Sequence, residues 1–242
     1  MLRSYRLLVT WQAHRLKDVL PLSIVVQALL ALGIVIGYPL LFPSLDQGTK
    51  LYLATGAPTI TLISMGLVLV PQMVVQAKTQ GTLDYMRTLP VPRLLYLLAD
   101  LTVWLVVVLP GVIFAVVVGD VRFGLDLAVS PLVVPAMLLV ALTATAVGYA
   151  IASLLPPMLA TLLTQVLVFF ILMFSPLTFP ADRLPAWLAA VHGVLPIGAM
   201  GDLVRGTLAG SVFPLSGGAL LLVAAWCVGS FAVTYQLINR RA

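Results

Sequence analysis

The side chains that could do chemistry in this sequence are few and far apart. It holds eight acidic residues, all of them Asp, two histidines (His14 and His192) and a single cysteine, Cys227. Nucleophilic catalysis, metal-assisted hydrolysis and phosphate binding each need particular groups at fixed spacings. The chain has no Gly-x-Ser-x-Gly, no His-Glu-x-x-His and no cluster of aspartates to hold a metal. It also lacks any Gly-Lys pair from which a Gly-x-x-x-x-Gly-Lys-[Ser/Thr] phosphate loop could be built. One cysteine cannot close an internal disulfide, and two histidines with one cysteine are too few for the usual structural zinc sites. The expectation is therefore no catalytic, cofactor-binding or metal site in this polypeptide. What polar chemistry remains gathers in two segments, residues 76–93 and 175–213, and is scattered singly elsewhere.

The elements that position those segments follow from composition. The chain has 242 residues, 62% hydrophobic and 9% charged, against roughly 45–50% apolar and about 25% charged in soluble domains. Its mean hydropathy is +1.14, so most side chains must meet lipid or other helices rather than water. An ionised group is costly in hydrocarbon, and long uncharged stretches therefore mark spanning helices. Between Asp18 and Asp46 lie 27 uncharged residues, between Lys50 and Lys78 another 27, between Asp100 and Asp120 19, and between Arg205 and Arg240 34. The 55 residues between Asp126 and Asp182 are interrupted by Pro156-Pro157, which cannot continue a helix, and so hold two spans. Six spans are predicted, near residues 20–41, 53–75, 94–118, 131–154, 158–177 and 215–237. They are continuously apolar, without the alternation of a barrel strand. The fold class is all-α integral membrane, read as one transmembrane domain over residues 1–242, with a cytoplasmic interfacial segment at 1–19, the six spans within 20–237 and a cytoplasmic tail at 238–242.

Six spans put both termini on one side. With the termini inside, nine basic residues are cytoplasmic (Arg3, Arg6, Arg15, Lys17, Lys78, Arg87, Arg93, Arg240, Arg241) and four are external (Lys50, Arg122, Arg183, Arg205). The positive-inside bias selects N-in, C-in. His14 and His192 then lie on opposite sides and cannot share a site, which counts against a membrane enzyme. The first apolar run is longer than a signal-peptide core, so it reads as an uncleaved span. Before it, Tyr5, Leu7, Leu8, Trp11 and Leu16 interleave with Arg3, Arg6, Arg15 and Lys17, the composition of a helix on the cytoplasmic interface.

In segment 76–93, Thr82 can cap a short helix, Asp84 falls in its first turn, Arg87 near its last, and Leu89-Pro90 stops it. Leu83, Met86 and Leu89 recur every three residues and give it one apolar edge, suited to docking a partner or to lying in lipid. In segment 175–213, Pro176, Pro180, Pro185 and Pro196 cut the chain into pieces too short to span. Residues 185–194 and 197–208 are helical in pattern but only about 15–18 Å long. They carry Trp187, His192, Asp182, Arg183, Asp202 and Arg205, and should sit at the outer interface or dip in as a hairpin.

These residues resemble the permease subunits of ABC type-2 exporters, a family that includes daunorubicin-type drug exporters and exporters of polysaccharides. The resemblance covers essentially the whole chain. Its most specific part is Gly81-Thr82-Leu83-Asp84-Tyr85-Met86-Arg87-Thr88-Leu89-Pro90-Val91-Pro92-Arg93, similar to the family's Gly-Thr-Leu, acid, short helix, Pro and basic residue. By resemblance Thr82, Leu83, Asp84, Tyr85, Met86, Arg87 and Thr88 form a coupling helix against an ATPase subunit. Phe179-Pro180, Leu184-Pro185, Trp187-Leu188, Leu195-Pro196, Asp202 and Arg205 resemble the family's outer hairpin between spans 5 and 6, which brings in Trp187, His192, Asp202 and Arg205. Two departures stand out: Ala77, Lys78, Thr79 and Gln80 replace the usual glutamates, and Leu195-Pro196 replaces an Asn-Pro.

The resemblance implies a half-transporter. Two ABC ATPase subunits would bind the ATP and Mg, a second permease chain, identical or a sister protein, would complete the channel, and the lipid bilayer would surround both. No nucleic acid partner is implied, and the location is a plasma membrane, bacterial by resemblance. The family's substrate path runs between permeases along spans 2 and 5, where Thr61, Ser64, Gln72, Thr161, Gln165, Phe169 and Met173 would line it. Sparse polar points in an apolar path suit a hydrophobic drug or antibiotic, while a lipid-linked glycan or glycolipid uses the same architecture. The same Ser, Thr and Gln residues could also serve as ordinary interhelical contacts. Asp100, the one charge within a span, is expected to snorkel to the cytoplasmic interface or pair with a basic residue. Gly33, Gly37, Ala144, Gly148, Ala152, Ala225 and Gly229 are expected to allow close helix approach, and Pro110-Gly111 to kink or loosen span 3. A membrane scaffold that transports nothing is the reading from a different class.

Overall fold

The computed structural model describes residues 2–17, 19–41, 45–82, 93–125 and 127–240. Among them the regular structure is all helix: α1 (Leu2–Leu16), α2 (Leu20–Leu32), α3 (Gln47–Ser64), α4 (Val70–Thr79), α5 (Arg93–Phe123), α6 (Val133–Leu154), α7 (Pro157–Phe174), α8 (Ala186–Val194), α9 (Pro196–Leu208) and α10 (Gly217–Arg240). Six stretches are long and apolar enough to cross a membrane: Leu20–Leu40, Gln47–Thr79, Leu98–Phe123, Val133–Leu154, Pro157–Phe174 and Gly217–Gln236. Each coincides with a span expected from the charge gaps.

The second span is longer than expected. It runs 33 residues from α3 into α4 and starts where Asp46 caps it, its carboxylate accepting from the Thr49 hydroxyl (2.5 Å) and the Thr49 backbone N–H (3.3 Å). Those bonds hold the Asp46 carboxyl below its ordinary value of 3.8. A depressed carboxyl contributes stability that is complete above the unfolded value and lost as pH falls through the folded one. Fraying of this helix start, followed by hydrogen exchange at Gly48 and Thr49, is therefore expected only below about pH 4.

Two wide π turns interrupt the first two spans, at Gly33–Gly37 and at Met65–Leu69. Both stand just before a proline, Pro39 and Pro71. In a regular helix the proline ring would strike the carbonyl four residues back, Val35 or Leu67; widening the turn by one residue moves that carbonyl aside. The Tyr38 and Val70 N–H groups bond five residues back, to Gly33 O and Met65 O. At Pro110 the helix is not broken: α5 runs as one 31-residue element through it. Gly111 next to it makes room for α2, because a Cβ there would lie 2.0 Å from Gln27 Oε1.

Span 2 is the centre of the bundle, with 83% of its apolar window buried, against 28% for span 1, 17% for α7 and 28% for span 6. It packs on α5, α6, α7 and α9. Small residues permit the tightest crossing. A Cβ at Gly148 of α6 would meet Gly66 O at 2.1 Å, and one at Gly66 would meet the Ala144 backbone carbonyl carbon at 2.6 Å. The expectation of close approach is met there and not at Gly33, Gly37 or Gly229, where a Cβ would meet nothing within 4 Å. Those three lie on helix faces that this chain leaves open.

Helix α1 lies against α5. Its buried residues are Leu8, Gln12 and Leu16, while Leu7 and Trp11 face outward, 62% and 38% exposed.

Candidate functional site

At the proposed ATPase end, α4 stops at Thr79, and Gly81 takes a left-handed φ of +72°, the conformation glycine adopts at low cost after a helix. Thr82 is itself helical. Leu83, Asp84, Tyr85, Met86, Arg87 and Thr88 lie outside the described residues, so the coupling helix rests on the sequence. The Lys78 ammonium donates to Ala152 O, tying the end of α4 to the end of α6. Lys78 stands where the family has a glutamate, and its bond to a carbonyl is one a carboxylate could not make.

Nearby, Asp100, expected to snorkel to the interface or to pair with a basic residue, turns into the bundle. It is 7% exposed and lines a small cavity of about 20 Å³ with Gln12, Tyr96, Trp104 and Tyr149.

The residues expected to line a path separate into three groups. Thr61 is fully buried in the bundle, its hydroxyl donating to Ala57 O at 2.9 Å, so it is closed off from any opening. Ser64, Gln72 and Thr161 are half-buried; the Thr161 hydroxyl is satisfied by Pro157 O at 3.0 Å. Gln165, Phe169 and Met173 are exposed on α7. They recur at four-residue spacing and so share one face, together with Thr161 and Met158. Gln165 makes no hydrogen bond to the described residues. The opposite side of α7 buries Ala160, Thr164 and Ile171.

The bent helix pair expected between spans 5 and 6 is present, and its second helix packs into the bundle. Helices α8 and α9 meet at a 78° bend where Leu195 is extended before Pro196 (φ −74°, ψ 144°), as a residue preceding proline must be. The carbonyl left open at the end of α8, Val194 O, accepts from Trp226 Nε1 at 2.8 Å. Every residue of α9 except Asp202 is buried, against α3, α6 and α10. Trp187 is 68% exposed, while His192 is buried, its Nε2 bonded to Phe174 O at 2.9 Å and its ring stacked on Phe170 at 5.5 Å.

Arg205 holds this end together. It is 2% exposed, pairs with Asp202 Oδ1 at 2.8 Å, donates to Leu177 O at 3.1 Å and Pro176 O at 3.4 Å, and lies 3.9 Å from the centre of the Tyr52 ring. One guanidinium thus ties α9, the turn after α7 and the start of α3. The sequence named Arg205 as part of the hairpin but gave no sign of Tyr52. It gave no sign either of Gln12, which stands among other polar residues in α1, or of Gln27, whose amide reaches Met65 Sδ at 3.9 Å and whose one signal was a lone polar residue in an apolar run.

Two comparisons bear on the whole arrangement. A family model described as ABC-2 type transporter matches residues 5–209, from α1 through the end of the hairpin. No curated protein matches the chain.

Proposed function

The chain belongs to the ABC-2 type transporter family and is a multi-pass permease component of an ABC transporter; we propose that it exports a hydrophobic or amphiphilic compound, a drug or antibiotic, driven by ATP hydrolysis on a separate ATPase subunit. In this reading two ATPase subunits bind the ATP and Mg, and a second permease chain covers α7. The transporter sits in a bacterial plasma membrane with both termini inside. Closure of the ATPases pushes on the segment 82–88 and switches the permease pair between inward-open and outward-open arrangements.

The observation that carries this reading is the open face of α7. Gln165 is the ninth residue of an 18-residue span, so it lies near mid-bilayer, and it faces out of the bundle. An amide left without partners in hydrocarbon costs roughly 2–7 kcal/mol. A second permease or a polar point in a transport path removes that cost, and Phe169 and Met173 on the same face give the path its apolar walls.

Gln165→Leu is expected to change the ranking of transported compounds more than the amount of protein in the membrane, measured by uptake of a panel of drugs into inverted vesicles. Equal loss for every compound, in step with protein level, would assign Gln165 to packing alone. Charge reversal in the coupling segment, Asp84→Arg or Arg87→Asp, is expected to cut export about ten-fold while the permease stays inserted and the ATPase still hydrolyses ATP. Unchanged export would reject the assignment of that segment.

A further inference from the structure

Helix α1 is divided lengthwise. Leu8, Gln12 and Leu16 are buried at spacings of four residues, and Tyr5 Oη shares a 2.6 Å hydrogen bond with Thr102 Oγ1 of α5. That seat fixes the rotation of the helix about its axis. Arg3, Arg6, Leu7 and Thr10 consequently face away from the protein; all four are exposed and line an open depression of about 480 Å³. Helix α1 contains no acidic residue, and neither Arg3 nor Arg6 makes an ion pair with the described residues. Beside these two cations, Leu7 and Trp11 present apolar surface one turn apart.

We infer that this face of α1 is a binding site for an anionic phospholipid, its phosphodiester held between Arg3 and Arg6 and its glycerol and upper acyl carbons lying on Leu7 and Trp11. Guanidinium groups suit the phosphate because they offer paired N–H donors in a plane. The apolar surface selects a lipid over a free phosphate, which would satisfy the cations and leave Leu7, 62% exposed, in water. Thr10 spends its own hydroxyl on Arg6 O at 2.9 Å, so the arginines are the groups that hold the headgroup. The site rests on the proposed placement of α1 at the cytoplasmic membrane face and is independent of what is exported.

The test uses the full-length chain, with the subunits that copurify with it, in nanodiscs of phosphatidylcholine with or without phosphatidylglycerol, and native mass spectrometry of the lipid retained on release. Wild type is expected to retain phosphatidylglycerol in preference to phosphatidylcholine. A cation near an anionic headgroup contributes about five-fold in binding, so Arg3→Ala with Arg6→Ala should lower that retention about 25-fold, while Arg3→Lys with Arg6→Lys keeps most of it. Equal retention of the two lipids, or an unchanged double alanine variant, would overturn the site. Displacement of the lipid by inorganic phosphate at equal concentration would make it a free-anion site and overturn the lipid assignment. Protease access to an N-terminal tag in sealed vesicles reports the side of α1 separately, so a wrong topology and a wrong site give different results.

Discussion

Gly148→Ala is expected to unseat span 2 from α6 and lower the stability of the permease by about 3 kcal/mol, at or beyond the upper end of ordinary overpacking costs. The added carbon would sit 2.1 Å from Gly66 O and 3.0 Å from the Pro71 ring. Neither neighbour is the free end of a flexible side chain: one is backbone of the most buried span, the other a ring beside the π turn at Met65–Leu69. Gly66→Ala should do the same from the other side, meeting Ala144 and the Thr145 nitrogen at 2.5–2.6 Å. Gly229→Ala is the control, since a carbon there meets nothing, and alanine in a helix is favoured over glycine by up to about 1 kcal/mol. Thermal unfolding in detergent, followed by loss of the monodisperse peak, should show a large drop for Gly148→Ala and Gly66→Ala and none for Gly229→Ala. Similar midpoints for all three would mean that spans 2 and 4 do not cross as described.

Arg205→Met should release the hairpin formed by α8 and α9. The substitution keeps much of the volume but leaves Leu177 O and Pro176 O without their donor, Asp202 without its counter-ion and the Tyr52 ring without a cation. Breaking a buried pair costs about 3–5 kcal/mol, and the lower figure applies because the Asp202 side chain is 57% exposed and finds water. Asp202→Asn should therefore cost much less, below about 1 kcal/mol. Limited proteolysis of the permease in detergent reads this directly: cleavage between Pro176 and Pro185 should speed up strongly for Arg205→Met and little for Asp202→Asn. Equal effects would place the restraint in the ion pair rather than in the carbonyl and ring contacts.

These two residues also mark how far the sequence could be read. The six spans and the broken hairpin were legible because they follow from properties that act along the chain: the cost of charge in hydrocarbon fixes the gaps, and proline fixes the bend at Leu195-Pro196. The direction a side chain faces depends on neighbours distant in sequence, and there the reading thinned. Thr61 and Gln165 look alike as isolated polar residues in apolar runs, yet one is closed inside the bundle and the other faces out of it. Ala144 and Gly148 carried a recognisable four-residue spacing; their counterpart Gly66 did not, being ten residues from Gly56, and only the crossing of spans 2 and 4 reveals it. The π turns had a local cause, Pro39 and Pro71, but Pro58 and Pro110 stand in regular helix, so proline alone does not announce them. Asp100, expected to snorkel to the interface or to pair with a basic residue, is buried on α5 among residues of α1, α4 and α6.

The central claim is that this chain is the membrane half of a machine whose motor is a separate polypeptide. Purification of the tagged chain from its native host in mild detergent, with mass spectrometry for phosphate-loop proteins and an ATPase assay with and without candidate drugs, tests it most directly. A stoichiometric ABC ATPase whose hydrolysis is stimulated by a transported compound is the predicted result; a clean preparation with neither ATPase nor stimulation would contradict the account and leave a scaffold that transports nothing.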